Sequence, residues 1–197
     1  MEIRVLSSDD VQKALPMAEA IEGMKRAYSR LSSGRVEMPL RSRVHVPEQE
    51  GVLLTMPAAL PGDSEMAVKL VTVFGKNPAR GFPLIHAAVL VLDTENGQIK
   101  ALMDGEVLTA VRTGAGVGAA TELLASTDAV SVAIIGSGKQ ACSQLDAVCT
   151  VRSIQQVWVY SPNPEHAQKF VEEMSGVGPI PKDIQAKIFE AFFTTKE

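Results

Sequence analysis

The sequence has 197 residues, of which 46% are hydrophobic and 21% charged, and its formal net charge is −4 at pH 7. These values are typical of a globular protein with one or two domains, and the acidic balance argues against nucleic acid or an anionic membrane as a main partner. No apolar run is long enough for a transmembrane helix and the first residues lack the form of a secretory signal, so we expect a cytoplasmic protein.

The first 34 residues are predicted to form a short strand followed by helices. The strand covers residues 3–6, and the helical pattern is interrupted at Pro16 and ends near Gly34. Three residues are candidate N-caps of the first helix: Ser8, Asp9 and Asp10.

Between residues 36 and 104 the sequence predicts a sheet without helical crossovers. Runs rich in Val, Leu, Ile and Thr alternate with loops that contain Pro, Gly and Asn. The expected strands lie near residues 36–46, 52–57, 66–74, 84–93 and 98–103. TENG at 94–97 predicts a hairpin between the last two, and Asp104-Gly105 predicts a further turn.

Residues 106–126 are predicted to form a helix rich in Ala and Gly. Small residues at close spacing lower the helix propensity and let another backbone approach closely. We therefore expect tight packing along this helix and a domain boundary near 110–128.

The stretch from 130 to 141 carries the strongest functional signal. Four of its first six residues are β-branched, which predicts a strand buried on both faces. It runs into Gly136-x-Gly138-x-x-Ala141 and then a helical pattern, and a second strand and helix follow. Such a strand, turn and helix start cradle a dinucleotide pyrophosphate, although a plain βα turn is the alternative.

Three cations have positions that suggest an anion site. Lys69 lies inside the apolar run MAVKLVTVF, Arg41 lies two residues before Arg43 in RSRV, and Arg112 lies in LTAVRTGAG. A carboxylate suits a guanidinium together with an ammonium. From spacing alone, pairing of each cation with a structural Asp or Glu is the simpler interpretation.

The histidines and cysteines do not indicate catalysis or a metal site. His45, His86 and His166 have no ligand spacing. Cys142 and Cys149 share a helix face but are too far apart to bridge within one helix. The sequence therefore predicts neither a disulfide framework nor a zinc site.

Taken together, the residues resemble a known family. The run KLVTVF…NPARGFPLIHAAVLVLDTENGQIKALMDGEVLTAVRTGAGVGAATELLA…VAIIGSGKQA is similar to the ornithine cyclodeaminase/mu-crystallin family, which includes alanine dehydrogenases and ketimine reductases. The resemblance covers about residues 1–174. It implies an α/β protein: an α+β substrate and dimerisation domain at 1–127, followed by a truncated Rossmann-type unit at 128–175.

The resemblance also implies roles for particular residues. Arg41, Lys69 and Arg112 match positions that hold the substrate carboxylate, and Lys69 matches one that assists proton transfer. Thr109 and Arg112 match positions near the cofactor phosphates. The glycine turn adds the candidate cofactor contacts Gly136, Ser137, Gly138, Gln140 and Ala141, and the end of the second strand adds Ser161 and Asn163. The implied cofactor is NADP(H) or NAD(H), with no metal, and the implied assembly is a homodimer.

Two features depart from that family. Cyclodeaminases carry an acidic residue where this sequence has Leu54, and the family continues well beyond the matched region. The last stretch, 176–197, instead resembles part of a sensor histidine kinase ATP-binding domain. An alternative is a short amphipathic helix with Ile184, Ile188, Phe189 and Phe192 on one face.

Two functions remain open at this point. The first is an NAD(P)(H)-dependent oxidoreductase or cyclodeaminase acting on a small amino acid or cyclic imine. The second is a non-catalytic dimeric remnant or fusion protein that binds nucleotide. We expect weak cofactor affinity and little turnover in either case, because only two Rossmann strands are predicted.

Overall fold

The computed structural model describes residues 2–182 and 184–186. It is a mixed α/β structure, which confirms the predicted fold class. The chain forms two compact units: the first contains Met1–Pro16 and Arg26–Thr109, and the second contains Met17–Lys25 and Ala110–Glu197.

The described residues contain five α-helices and nine strands. The helices are α1 (Ser8–Ala14), α2 (Met17–Ser32), α3 (Gly105–Leu124), α4 (Lys139–Val151) and α5 (Pro164–Met174). The strands are β1 (Arg4–Leu6), β2 (Ser42–Val46), β3 (Gly51–Ala59), β4 (Glu65–Phe74), β5 (Ile85–Asp93), β6 (Ile99–Asp104), β7 (Ser131–Ile135), β8 (Gln156–Tyr160) and β9 (Ile184–Ala186).

A six-stranded sheet forms the centre of the first unit, in the order β1-β6-β5-β4-β3-β2. Only the β1–β6 pair is parallel, so the prediction of a sheet without helical crossovers is confirmed. The predicted strand at 36–46 was too long. The ladder of β2 begins at Ser42, and Glu37 makes only an isolated bridge with Ala59.

The predicted hairpin at 94–97 connects β5 to β6. The Asp93 carboxylate accepts hydrogen bonds from the backbone N–H groups of Glu95 and Asn96, at 2.8 and 3.2 Å. Gly97 has a φ of +75°, which a residue with a side chain rarely adopts. The turn is therefore specified by its own sequence.

Two helix starts differ from the predictions. The N-cap of α1 is Ser7 rather than one of the three candidates, and it forms a reciprocal capping box with Asp10. Asp104 and Gly105 do not form a separate turn. The Asp104 carboxylate accepts from the N–H of Val107 at 2.8 Å, so it caps the start of α3.

The second unit contains a parallel sheet in the order β7-β8-β9, with α4 and α5 as its crossover helices. Its core includes Leu145, Val157, Val159 and Phe170, each at most 2% exposed. Two predictions about this unit were wrong. The sheet has a third strand, and Ile184 lies in that strand rather than in a helix. The other apolar residues of the predicted tail helix, Ile188, Phe189 and Phe192, lie outside the described residues.

The small residues of α3 pack closely within the second unit, as predicted. A Cβ on Gly114 would collide with the backbone of Ser143 in α4, and one on Gly118 would lie 2.7 Å from Ile21. Arg152 secures the far end of α3: its guanidinium donates to the carbonyls of Thr121, Ala125 and Ser126, each at 2.9 Å. These bonds satisfy carbonyl groups that the end of a helix leaves without partners.

Candidate functional site

The glycine turn after β7 has the conformation that its sequence predicts. Gly136 has a φ of +106°, which favours glycine, and its N–H donates to the Tyr160 carbonyl at 2.8 Å. That bond joins the carboxyl ends of β7 and β8. In open parallel sheets, ligands bind beyond the carboxyl ends of the strands, so the turn lies at the expected edge.

The N-terminus of α4 leaves room for an anion. Gly138 is the N-cap, and among the described residues no side chain caps this helix. A Cβ on Gly138 would meet no heavy atom within 4 Å, so the space in front of the helix is open. Ala141 is only 7% exposed and packs into the core. Open space, uncapped N–H groups and a small third residue together fit a dinucleotide pyrophosphate.

Four of the other predicted cofactor residues lie at the same edge. Ser137 is half-buried within the turn, and Gln140 is exposed in the first turn of α4. Ser161 is half-buried directly after β8, and Asn163 caps α5, its side-chain oxygen accepting from the N–H of Glu165 at 2.9 Å. That oxygen is therefore already used, and only the amide NH2 of Asn163 is left to donate to a ligand.

In the first unit, Lys69 and Thr109 lie together. The Lys69 Nζ donates to the Thr109 hydroxyl at 3.3 Å, and that hydroxyl donates to the Gly105 carbonyl at 2.5 Å. The hydroxyl proton is thus directed at Gly105, and its lone pairs face the lysine. Lys69 is half-buried, so the ammonium is held in a fixed direction rather than extended into solvent.

The sheet register relates Arg41 to Lys69. Met56 of β3 is directly opposite Lys69 of β4, and Thr55 is opposite Ser42, the first residue of β2. Continuing that register by one residue places Arg41 opposite Met56, on the same face of the sheet as Lys69. Two strand spacings separate the two backbones, about 10 Å. Long side chains can both reach a small anion from that distance.

Arg112 lies on α3 in the second unit and is exposed. Close contacts of Gly114 with Ser143 and of Gly118 with Ala147 show that α3 and α4 run side by side in the same direction. Residues 110–112 therefore pass alongside the first turn of α4. Within the part of the chain that the structure describes, neither the Arg112 nor the Arg41 side chain has an ion pair or hydrogen bond.

The thiols and histidines form no second reactive centre. Cys142 and Cys149 are both free, and burial raises the pKa of Cys149 to about 11, which keeps that thiol protonated. His86 lies 3.6 Å from Glu106 on the surface. In residues 2–182 and 184–186, no three His, Cys, Asp or Glu side chains are arranged to hold a metal ion.

None of the helices in that described part has the length and apolar character to cross a bilayer.

Sequence reasoning missed two residues that position the site. Asp104 fixes the start of α3, five residues before Thr109, and Ser143 provides the backbone surface against which Gly114 packs. Asp104 carried a signal, because an Asp three residues before Val107 is a standard N-cap spacing. Ser143 carried none, since its contact involves backbone atoms that any residue would supply.

Comparisons with known proteins show what the chain is similar to. The sequence model of the ornithine cyclodeaminase/mu-crystallin family matches residues 1–186. A Δ1-pyrroline-2-carboxylate reductase of Bacillus cereus is 33% identical over 168 residues, which cover 85% of this chain and 52% of the relative.

Two solved structures are similar over almost the whole chain. The Thermococcus litoralis Δ1-pyrroline-2-carboxylate reductase in complex with NADH and L-proline has a TM-score of 0.84 and 40% identity, over 94% of this chain and 57% of its own. An archaeal alanine dehydrogenase dimer with bound NAD has a TM-score of 0.82 and 31% identity, over 94% and 56%. The chain thus spans about half the length of the relatives it matches.

Proposed function

Because the chain belongs to the ornithine cyclodeaminase/mu-crystallin family, we propose that it carries the carboxylate-binding and pyrophosphate-binding parts of an NAD(P)(H)-dependent enzyme. Its substrate would be a small amino acid or cyclic imine. The observation that carries the proposal is the open, uncapped N-terminus of α4 behind the glycine turn. NADH and NAD in the two similar structures support the choice of cofactor class.

The chain's own residues would bind and orient the substrate. We propose that Arg41, Lys69 and Arg112 act on one carboxylate, and that the Thr109 hydroxyl keeps the Lys69 ammonium directed towards it. The same ammonium would hold or return a proton at the substrate nitrogen. The nicotinamide, when bound, exchanges a hydride with the carbon that bears this nitrogen.

Side chains near Lys69 favour a substrate without a second amino group. Leu54 is on the same face of the sheet as Lys69, and it lies between Arg43 and Val71 in the register. An ammonium group on the far end of a substrate would meet no carboxylate from Leu54. We therefore propose alanine-like or proline-like ligands over diamino acids, which fits the L-proline in the Thermococcus litoralis structure.

We also propose that the protein is a cytoplasmic homodimer. The sheet face opposite Lys69 carries Val5, Val44 and Leu102, whose exposed fractions are 71%, 57% and 36%. A second copy that packs on this face would remove those apolar side chains from water. The dimeric archaeal alanine dehydrogenase supports a second copy as the occupant, and two unpaired cysteines suit a reducing compartment.

A non-catalytic nucleotide-binding role is the second candidate. β7 pairs only with β8 in the described part of the chain, so one side of the nicotinamide pocket has no strand there. On this basis we propose weak dinucleotide affinity and low turnover for these 197 residues alone. We also propose that residues 176–197, although they resemble part of a histidine kinase domain, bind no ATP, because Met174 stands where such a domain has the Asp that contacts adenine.

Calorimetric titration of the full chain with NADH and with NADPH, each followed by L-proline or pyruvate, tests the proposal. We expect saturable dinucleotide binding and tighter carboxylate binding in its presence. ATP with magnesium serves as the control nucleotide and should not bind. Heat changes that are identical for ATP and the dinucleotides, or no dinucleotide binding at millimolar concentration, would contradict the proposal.

A further inference from the structure

Arg43 is a second arginine on the sheet face that carries Lys69. In the register Arg43 lies directly opposite Leu54, and Leu54 lies opposite Val71, two residues after Lys69 on β4. Side chains two residues apart on a strand point to the same face, so Arg43, Leu54 and Lys69 share one face. Arg43 is exposed, and among the residues that the structure describes its side chain has no ion pair or hydrogen bond.

The immediate neighbours of Arg43 in the described sheet supply no counter-charge. Its cross-strand partner Leu54 is apolar, and so are Val52 and Met56, the adjacent residues of β3 on this face. Arg41, two residues earlier in the chain, carries the same charge as Arg43. Two guanidinium groups so close together repel each other unless an anion lies between them. An anionic ligand would supply the missing partner.

The proposed function uses only part of this positive charge. It places one substrate carboxylate against Arg41, Lys69 and Arg112 and gives Arg43 no role. We propose that Arg43 binds a second carboxylate, at the far end of the substrate, and that the chain favours amino or imino dicarboxylic acids of four or five carbons. This inference rests on the proposed function and deepens it by naming the substrate class.

The dimensions of the sheet fit a ligand of that size. Arg41 directly precedes β2, and continuing the strand spacing separates its Cα from that of Arg43 by about 7 Å. The two carboxylates of a four- or five-carbon acid lie closer together than that, and the long arginine side chains can converge on them. A guanidinium matches a carboxylate with two parallel hydrogen bonds, which favours a carboxylate over a neutral amide. Leu54, directly opposite Arg43, would contact the methylene groups between the two carboxylates.

The same side chain disfavours another class of ligand. An ammonium group at the far end of the substrate would be repelled by Arg43, and Leu54 offers it no carboxylate in return. A neutral far end, as in L-alanine, leaves the Arg43 guanidinium without a partner. The expected order of affinity is therefore dicarboxylic acid, then monocarboxylic acid, then diamino acid.

Calorimetric titration of the full chain with L-aspartate and with L-asparagine, each in the presence of oxidised NAD or NADP, tests the inference. The two ligands have the same shape and differ by one negative charge at the far end. We expect L-aspartate to bind at least roughly tenfold more tightly, because its carboxylate forms charged hydrogen bonds with Arg43. L-Alanine, with one carboxylate, is the reference ligand for the proposed function.

Substitution of Arg43 assigns the preference to its side chain. Arg43→Gln should abolish the preference for L-aspartate and leave the affinity for L-alanine nearly unchanged. Arg43→Lys should lower the preference several-fold, because the charge remains but the two parallel hydrogen bonds do not. Urea unfolding shows whether each variant folds, and Arg43→Lys carries the test if Arg43→Gln does not fold.

The matched control is Arg4→Gln, at another exposed arginine on the same face of the sheet. Arg4 pairs with Ala101, which lies opposite Val91 on the side of Lys69. Because β1 and β2 are at opposite edges of the sheet, five strand spacings or about 24 Å separate Arg4 from Arg43. This variant should retain the full preference for L-aspartate.

The possible outcomes distinguish this inference from the proposed function. Equal affinity of the unmodified chain for L-aspartate and L-asparagine, with L-alanine still bound, overturns the second carboxylate site and leaves the proposed function standing. A preference that survives in Arg43→Gln, or that is lost equally in Arg43→Gln and Arg4→Gln, also overturns the site, since Arg43 would then have no specific part in it. If none of the three amino acids binds, the proposed function fails together with this inference.

Discussion

The Lys69 ammonium donates a hydrogen bond to the Thr109 hydroxyl across 3.3 Å, which connects the middle of β4 to the second turn of α3. The contact could not be predicted from the local sequence of either residue, because 40 positions separate them in the chain. The contact matters for function because it fixes the direction of a half-buried cation within an otherwise apolar strand. An ammonium held in place loses less freedom when it binds an anion than one on a mobile surface side chain.

The first prediction concerns Lys69. Lys69→Ala should lower the affinity for pyruvate or L-proline at least tenfold, because it removes one of the proposed carboxylate contacts. Lys100→Ala is the matched control: Lys100 is a sheet lysine that pairs with Glu65 at 2.7 Å. Calorimetry measures the affinities, and urea unfolding checks that both variants fold. Equal affinity loss in the two variants would assign Lys69 no special role.

The second prediction separates the two glycines of the turn. Gly138→Ala should fold normally, because the new Cβ meets no heavy atom and φ is −85°. It should nevertheless weaken dinucleotide binding about tenfold or more, because the methyl group occupies the space in front of α4. Gly136→Ala should instead destabilise the fold by about 1–2 kcal/mol, since φ is +106° there. Unfolding curves and NADH fluorescence titrations distinguish the two effects.

The third prediction concerns the choice between NAD(H) and NADP(H). In NAD-binding sheets of this type, a carboxylate at the end of the second strand hydrogen-bonds the ribose of NAD. Here β8 ends in Tyr160 followed by Ser161, and no acidic residue occurs before Glu165. We therefore expect a modest preference for NADP(H). Ser161→Asp should reverse it by tenfold or more, because the new charge would repel a 2′-phosphate.

Ser153→Asp provides the control for that charge change. Ser153 is exposed and lies before β8, at the opposite end of the sheet from the glycine turn. The same substitution there should leave the ratio of the two cofactor affinities unchanged. Tighter binding of NAD(H) than NADP(H) by the unmodified chain would show the prediction to be wrong.

Local signals were enough to predict most elements. Three of these signals depend only on neighbouring residues, so they can be read from the sequence. They are the β-branched run of β7, the glycine turn and the apolar periodicity of α4. The hairpin at 94–97 is similar, because Asp93 and Gly97 supply the turn chemistry within five residues. The small residues of α3 also predicted close packing, although not its partner Ser143.

Features that depend on distant residues were not predictable in this way. The apolar residues around Ile184 fit a helix as well as a strand, and pairing of β9 with β8 decided the outcome. Arg41 and Lys69 could be placed on one face only after the register of β2, β3 and β4 was known. The N-cap at Ser7 is different, because its partner Asp10 is only three residues away and the sequence contained the signal that the prediction overlooked.

The fourth prediction concerns the homodimer. Val5→Lys places a charge on the apolar sheet face opposite Lys69 and should raise the dimer dissociation constant at least tenfold. Leu123→Lys on α3 is the control, because Val5 and Leu123 are both 71% exposed. Sedimentation velocity over a range of concentrations measures the effect. A dimer that is equally stable in both variants, or a monomeric unmodified chain, would exclude this face as the interface.

The fifth prediction concerns residues 176–186. Their sequence resembles a kinase fragment, but in the structure they supply β9 to the parallel sheet. Ile180 and Ile184 are 4% and 7% exposed and belong to the core of the second unit, together with Val157 and Phe170. Ile184→Ala should therefore destabilise the fold by about 2–4 kcal/mol, through lost burial and the cavity it leaves. Val177→Ala, at a position 52% exposed in the same segment, should cost no more than about 0.5 kcal/mol.

Urea unfolding followed by tryptophan fluorescence is a suitable measurement, because Trp158 is in β8 beside β9. If both variants unfold at the same urea concentration as the unmodified chain, β9 does not contribute to the stability of the sheet and the segment is an appendage.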